Sequence, residues 1–434
     1  SMLFGTSGIR GLANQDITPQ LALQVGRACG ALYGSVAVGR DPRTTSHLLH
    51  RAAVSGVLST GAEVTDVGLV STPTLAQAAR RHGAGIMVTA SHNPPRYNGL
   101  KLFNPDGSGF SLQQSAQVED HFAAPLAPWH AVGRCRRYEG AVDDHLDAIR
   151  DALPPSPSPL TVVVDCSNGT TGAITPYLLE QMGCRVIALN AQPDGFFPAH
   201  DPEPTPENLA QLRAVVTAAR AHLGIAHDCD GDRMVAVDDR GRVIPGDALL
   251  AVLARQVDAR TVVVPVNASL LIDDALPQAR VERTRVGDIF VSQRLKENGG
   301  DVGGEPSGTY VFPSFSYCPD GVYAAALAVQ VAAQRNLAAE IDGLPRYHTL
   351  RGSLPAARET LEAGMREVTE NLAGWEHTAL HTMDGVRMDS HRGWVLVRPS
   401  GTEPRVRVTV EARRREEAEA LWENVMSMVK RCFA

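Results

Sequence analysis

The run His227–Arg233, HDCDGDR, sets Asp228, Asp230 and Asp232 at every second position directly after the apolar GIA. In an extended or curled loop, carboxylates so spaced converge on one point, and converging hard oxygens suit a hard divalent cation such as Mg²⁺. Gly231 lets the backbone curl around such an ion, and three protein ligands leave a coordination position open. Arg233 follows at once, as suits a group that pairs with phosphate oxygens. The bland alternative is an acidic turn of solvated charges. Cys229, inside the run, is expected to pack as a small side chain rather than ligate.

A second stretch, GIMVTASHNPP from Gly85 to Pro95, is an apolar run that ends in Thr-Ala-Ser-His-Asn and two prolines. The prolines forbid continuation as a helix or central strand. Ser91 is therefore expected at a strand end, exposed, with its hydroxyl either presented for chemistry or bonded to nearby backbone. Lys101, in YNGLK, could stabilise charge near a phosphorylated serine or, if desolvated, act as a general base; a solvated surface lysine is the alternative. The stretch VRPSGTEPRVRV gathers Arg398, Ser400, Gly401, Thr402 and Arg405 around a glycine turn, a receptor for a phosphate; a basic turn between two strands is its alternative. GTSGIRG, Gly5 to Gly11, is a weaker version. GGEPSG, Gly303 to Gly308, offers Glu305 and Ser307 to sugar hydroxyls; taken alone, a tight turn is the reading it favours.

These loops need a scaffold, and the chain repeats one. SVAVGRD at Ser35, LTVVVDCSNG at Leu160 and TVVVPVNASL at Thr261 open three similar units. Each continues with a helix-like segment, a second strand (GAEVTDVG, GCRVIALN, ARVERTRVGD) and a third strand ending in a polar loop. Those loops are TASHNPP, HDCDGDR and GGEPSG. Alternating strands and helices imply α/β layers with largely parallel strands, whose ends are where ligands bind, so the loops are expected to face one cleft. The prolines of PPSPSP, Pro154–Pro159, separate the first unit from the second. DDRGRVIPGD reads as a hairpin and a helix start, placing the next boundary near Pro245, and GLPRYHTLRGSLP holds the last. The expected architecture is α/β: three similar domains of mixed sheet between helices, 1–153, 154–245 and 246–346. A smaller α+β domain, 347–434, completes a central cleft.

With 434 residues and 44% hydrophobic content the chain can bury several cores. A net charge of -7 suggests neither nucleic acid nor a membrane surface as partner. No apolar run approaches bilayer length, the start lacks signal-peptide features, and seven cysteines without a C-x-x-C pair suggest reduced thiols, so a cytoplasmic location is expected. His47 with His50, and His377 with His381, have helical spacing but no third ligand, and exposed helix faces are expected.

TASHNP, the D-x-D-x-D-R loop, GGE-x-SG and RPSGTEP, in this order and preceded by GTSGIRG, resemble the α-D-phosphohexomutase superfamily over essentially the whole chain. The resemblance implies that Ser91 carries a phosphoryl group, with Asp228, Asp230, Asp232 and Ser91 holding one Mg²⁺. It implies Arg10, Lys101 and His92 at the transfer site, and Glu305, Ser307 and Arg233 on the substrate. Gly287 and Asp288 of TRVGD would orient the sugar, while Arg398, Ser400, Gly401, Thr402 and Arg405 grip the non-reacting phosphate. The implied activity is phosphosugar mutase, with a hexose phosphate as substrate, a sugar 1,6-bisphosphate as intermediate and activator, and a monomer or homodimer as the working form. Thr309 departs from the histidine of many relatives. The GGEPSGT form is similar to archaeal members assigned as phosphoglucosamine mutases, making glucosamine phosphate the first choice and mannose or glucose phosphate the second. A phosphatase or a silent sugar-phosphate binder are the alternatives from other classes.

Overall fold

The structure, a computed structural model, describes residues 3–401 and 403–434. Thr402 lies outside the described residues. The β-branched runs Thr161–Asp165 and Thr261–Pro265 are buried along nearly their whole length, as strands covered on both faces must be. Each is one of the two inner strands of a four-stranded sheet. One sheet orders Val235–Val237, Leu223–Ala226, Thr161–Asp165 and Arg185–Leu189; the next orders Arg280–Thr284, Thr261–Pro265, Val302–Glu305 and Thr309–Val311. In the first domain, Ser35–Arg40 lies between Glu63–Leu69 and Ala84–Val88, and Tyr97–Phe103 returns antiparallel beside Ala84–Val88.

The repeat seen in the sequence is thus one topology used three times. An opening strand is flanked in parallel by its second and third strands, and a fourth returns antiparallel beside the third. TASHNPP, HDCDGDR and GGEPSG are all the connections from third to fourth strand. Burying a Val or Leu in such a core contributes roughly 1.5–3 kcal/mol. The second and third units share one continuous apolar core, which also takes in Leu146 and Ile149 of helix Ala141–Ala152 and Leu153 just after it.

The last unit differs. Five antiparallel strands run in the order His348–Pro355, Arg405–Ala412, Gly393–Pro399, Val386–Asp389, Ala379–His381, with helices Arg358–Ala373 and Arg415–Cys432 packed on the sheet. RVRVTVEA alternates as a half-buried strand should: Val406, Val408 and Val410 enter the core, which leaves Arg405, Arg407 and Thr409 on the opposite face. This unit docks on the third through buried Arg387. Its guanidinium stacks 4.0 Å from the centre of the Trp394 ring, pairs with Asp389 at 2.7 Å and donates to the carbonyls of Val266 and Ala268.

Two histidine expectations need correction. His50 is buried rather than exposed, because it reaches across to Asp66 at 2.9 Å. His377 and His381 share no helix, since Ala379–His381 is an edge strand and His381 turns toward Asp389. Among the described residues no helix is long and apolar enough to cross a membrane.

Candidate active site

Ser91 follows Ala84–Val88 as expected but is buried, with only 1% of its surface accessible. The expectation of an exposed hydroxyl fails because the loop folds back beneath the aspartate loop of the second domain. Ser91 Oγ donates to Asp228 Oδ2 at 2.7 Å. The backbone there is left-handed, φ 54°, a conformation a serine adopts only when its surroundings hold it. Here the buried Arg43 guanidinium donates to the carbonyls of Ser91, Asn93, Pro94 and Tyr97 at 2.7–3.0 Å, and Ser91 N–H donates to Thr89 Oγ1 at 2.9 Å. Asp41 in turn holds Arg43 at 3.0 Å and accepts from Thr89 Oγ1 at 2.6 Å. Neither Asp41 nor Arg43 was singled out in the sequence. The only signal was their place at and just beyond the end of SVAVGRD, whose strand runs parallel to the one before Ser91.

The three aspartates converge as their spacing predicts, with one oxygen from each within 4.8 Å of the others. At Gly231, φ 77°, the chain turns so tightly that a Cβ would lie 2.6 Å from the Thr171 side chain. Asp228 Oδ1 accepts the backbone N–H groups of Gly231 and Arg233 at 3.1 and 3.3 Å. Asp230 Oδ2 accepts from Thr72 Oγ1 at 2.5 Å, a contact the sequence did not suggest beyond the STPT helix start. Asp230 Oδ1 and Asp232 Oδ1 are buried without a hydrogen-bond partner. Burial and the neighbouring Asp230 push Asp228 and Asp232 above the usual carboxylate range. Two orphaned anionic oxygens in a crowd of carboxylates are the condition a bound divalent cation relieves, so the residues fit a metal.

Lys101 stands between Asp230 and Asp232, 3.2 and 3.0 Å away. Burial alone would lower its pKa, but the two aspartates raise it above the ordinary lysine value. The two carboxylate partners thus favour the charged ammonium at this position. His92 is the opposite case: burial, then Arg233 and Arg10, hold it neutral with a pKa near 3. Its Nδ1 is also without a partner. Arg10 sits opposite Gly99 in the sheet and reaches Asn93 Oδ1 at 3.3 Å, leaving its buried Nε unpaired.

The third domain closes this cluster. Arg233 is bridged through its backbone to Thr309. Burial works against its charge, but Asp228, Asp232, Asp288 and Glu305 together hold it firmly protonated. Burial and then the Asp288 charge push Glu305 well above the usual carboxylate range, while Glu305, Lys101 and Arg233 bring Asp288 below it against its own burial. Thr309, the departure noted above, donates to Glu305 Oε2 at 3.1 Å. Gly287 precedes the helix Asp288–Asn298 and packs on Thr6, tying GTSGIRG to the TRVGD loop. Ser307 is at the exposed tip of its turn.

The remaining candidates form a second cluster on the outward face of the fourth sheet. A cavity of about 490 Å³ there is lined by Arg351, Arg398, Arg405 and Arg407, with Asn267 and Pro306 of the third unit opposite. Arg351 and Arg407 were not counted among the phosphate ligands; strand alternation carries both to the same face. Glu403 N–H donates to Ser400 Oγ at 3.2 Å and Ser400 N–H to the Arg405 carbonyl at 2.9 Å, closing the turn. Gly401 opens onto free space. The two clusters meet at adjacent residues, Glu305 in the first and Pro306 in the second.

Four models of the phosphoglucomutase/phosphomannomutase group match: alpha/beta/alpha domain I at residues 1–127, domain II at 143–241, domain III at 245–347 and the C-terminal domain at 355–428. The chain belongs to the phosphoglucomutase/phosphomannomutase family. A relative from Methanocella arvoryzae, described as "Probable phosphoglucosamine mutase", is 48% identical over 437 residues, covering 99% of this chain and 98% of that one. One of the same description from Methanosarcina barkeri is 47% identical over 417 residues, covering 95% of each. Among solved structures, a phosphoglucomutase/phosphomannomutase family protein from Burkholderia thailandensis superposes with TM-score 0.87 at 27% identity, covering 98% of this chain and 97% of that one. Membership of this mutase family fits a chain with a buried serine hydroxyl beside converging aspartates and a separate basic cavity.

Proposed function

We propose that the protein interconverts hexose 6-phosphate and hexose 1-phosphate through a phosphorylated Ser91 and a 1,6-bisphosphate intermediate, with glucosamine phosphate as its preferred substrate. The observation that carries the mutase reading is the pairing of a buried Ser91 hydroxyl, 2.7 Å from Asp228, with a second, arginine-lined cavity in another domain. A hydrolase needs no second phosphate site. The full-length likeness to relatives described as phosphoglucosamine mutases favours glucosamine phosphate. The family's other namesakes, mannose and glucose phosphates, come second.

In this reading Asp228, Asp230 and Asp232 hold one Mg²⁺, which when bound neutralises developing charge on the transferred phosphoryl group. Lys101, Arg10 and Arg233 add fixed positive charge around the phosphoryl group on Ser91, and His92, kept neutral, offers a hydrogen bond. Glu305, Ser307, Gly287 and Asp288 orient the sugar. Arg398, Ser400, Gly401, Thr402 and Arg405 hold the phosphate that does not react. The phosphoryl group passes from Ser91 to the free sugar hydroxyl; the bisphosphate turns end for end, and its other phosphate returns to Ser91. Sugar 1,6-bisphosphate primes unphosphorylated enzyme. The units 1–153, 154–245, 246–346 and 347–434 supply, in turn, the serine, metal, sugar and phosphate sites of a cytoplasmic monomer or homodimer.

The test is ³¹P NMR with Mg²⁺ and a trace of sugar 1,6-bisphosphate, offering the 6-phosphates of glucosamine, mannose and glucose separately. A growing 1-phosphate signal, fastest with glucosamine, is expected. Release of inorganic phosphate alone, or no change with all three, contradicts the mutase reading.

A further inference from the structure

Asp384 lies outside every motif described above. It occupies the turn between strands Ala379–His381 and Val386–Asp389, and its carboxylate faces two ways. Toward its own domain it takes Arg398 in a two-pronged pair, Nε at 3.2 Å and Nη2 at 3.1 Å, a geometry that fixes the plane of a guanidinium. Toward the third domain, Oδ2 accepts the backbone N–H of Val286 at 2.9 Å. Val286 belongs to the TRVGD loop, two residues before Asp288, and its side chain packs on the cluster of Val266, Trp394 and Leu396. The turn is shaped for this contact. Gly385 is left-handed at φ 65°, and a Cβ there would lie 2.3 Å from the Val397 carbonyl and 2.9 Å from Arg398 Cγ. Only glycine lets the turn lie flat against the arginine.

We propose that Asp384 is a positioning residue that fixes the spacing between the phosphate clamp and the loop that orients the sugar. The inference rests on the mutase reading above. One carboxylate aims Arg398 and anchors the loop carrying Asp288, so the two grips on a substrate keep a set separation. Without it each grip persists, but the hydroxyl that must meet phospho-Ser91 is no longer presented at a fixed distance. Misplacement of that kind lowers turnover more than binding.

The test is a double-mutant cycle between positions 384 and 398 in kcat/KM of the full chain, joined to hydrogen exchange of the Val286 amide without substrate. Asp384→Ala is expected to lower kcat/KM about 10-fold, mostly in kcat, and to leave the double variant within about threefold of Arg398→Ala alone. The Val286 amide is expected to exchange at least about tenfold faster in Asp384→Ala, and Asp384→Asn, which keeps an acceptor, to restore that protection while kcat stays low. Multiplicative effects, kcat within about twofold of the parent, or unchanged Val286 exchange would each overturn the proposal. If Asp384→Ala does not fold, the same cycle and kcat comparison with Asp384→Asn decides. A parent without turnover on any hexose phosphate would instead contradict the mutase reading, and the exchange measurement still judges Asp384.

Discussion

The Ser91 cluster and the arginine cavity both handle phosphate in the proposed reaction, yet they are built in opposite ways. Around Ser91, three domains contribute groups that are buried, mutually charged and held from several sides. The cavity draws its arginines from a single sheet, half-exposed, with Asp384 and Ser353 as the partners of Arg398 and Arg405. In a buried site of low effective dielectric, fixed charges act strongly and misplacement is costly. In a wetter site, long guanidinium side chains can adapt to either end of a turning bisphosphate. The contrast separates a place where bonds change from a place that only holds.

The sharpest way to break that contrast is Ser91→Ala. It is expected to lower mutase turnover by at least about 10³-fold while hexose phosphate still binds within about twofold of the parent affinity; calorimetry beside the NMR assay reads both. Loss of binding together with turnover would mean the two clusters are one site. Asp230→Asn is next: turnover is expected to fall by roughly 10²–10³-fold and Mg²⁺ affinity with it, with clamp affinity again retained. Arg398→Ala should do the reverse, raising KM about 10- to 100-fold with a smaller loss in kcat and unchanged Mg²⁺ affinity.

Arg43→Lys sharpens the comparison from the structural side. A lysine cannot reach four carbonyls at once, so the left-handed Ser91 loop is expected to loosen at a cost of about 2 kcal/mol, read as a lower melting temperature and a lower kcat. The smallest effect is on acidity. Burial pushes the Asp389 carboxyl up, but His381 and Arg387 bring it down to about 2. Because the folded-state value lies below the unfolded one, near 3.9, this stabilisation of roughly 2–3 kcal/mol is present above about pH 4 and fades as pH falls toward 2. Tryptophan fluorescence of Trp394, which stacks on Arg387, should therefore report loosening of the fourth domain between those values; an unchanged signal down to pH 2 would contradict it.

What the sequence made legible follows the same division. The convergence of Asp228, Asp230 and Asp232 was readable because it lies in local spacing, and the shared face of the arginines of VRPSGTEPRVRV because a turn between alternating strands sets it. The threefold strand order followed from β-branched runs ending in polar loops. What stayed hidden depends on distant pairing. Arg43 acts on a loop almost fifty residues away along the chain, Thr72 reaches Asp230 from another domain, and Asp384 joins two units through one carboxylate. Burial of Ser91 was misjudged for the same reason, since nothing local to TASHNPP shows that another domain covers it. The ion pairs of Lys101 with Asp230 and Asp232 were hidden for the same reason.

The most direct test of the central claim, that Ser91 alone exchanges a phosphoryl group while the arginine cavity holds the other end, is mass spectrometry of the chain after incubation with Mg²⁺ and sugar 1,6-bisphosphate, followed by a chase with hexose monophosphate. The account predicts one added phosphoryl group on the peptide containing Ser91, discharged into sugar bisphosphate by the chase. A phosphoryl group elsewhere, none at all, or discharge only as inorganic phosphate would contradict it.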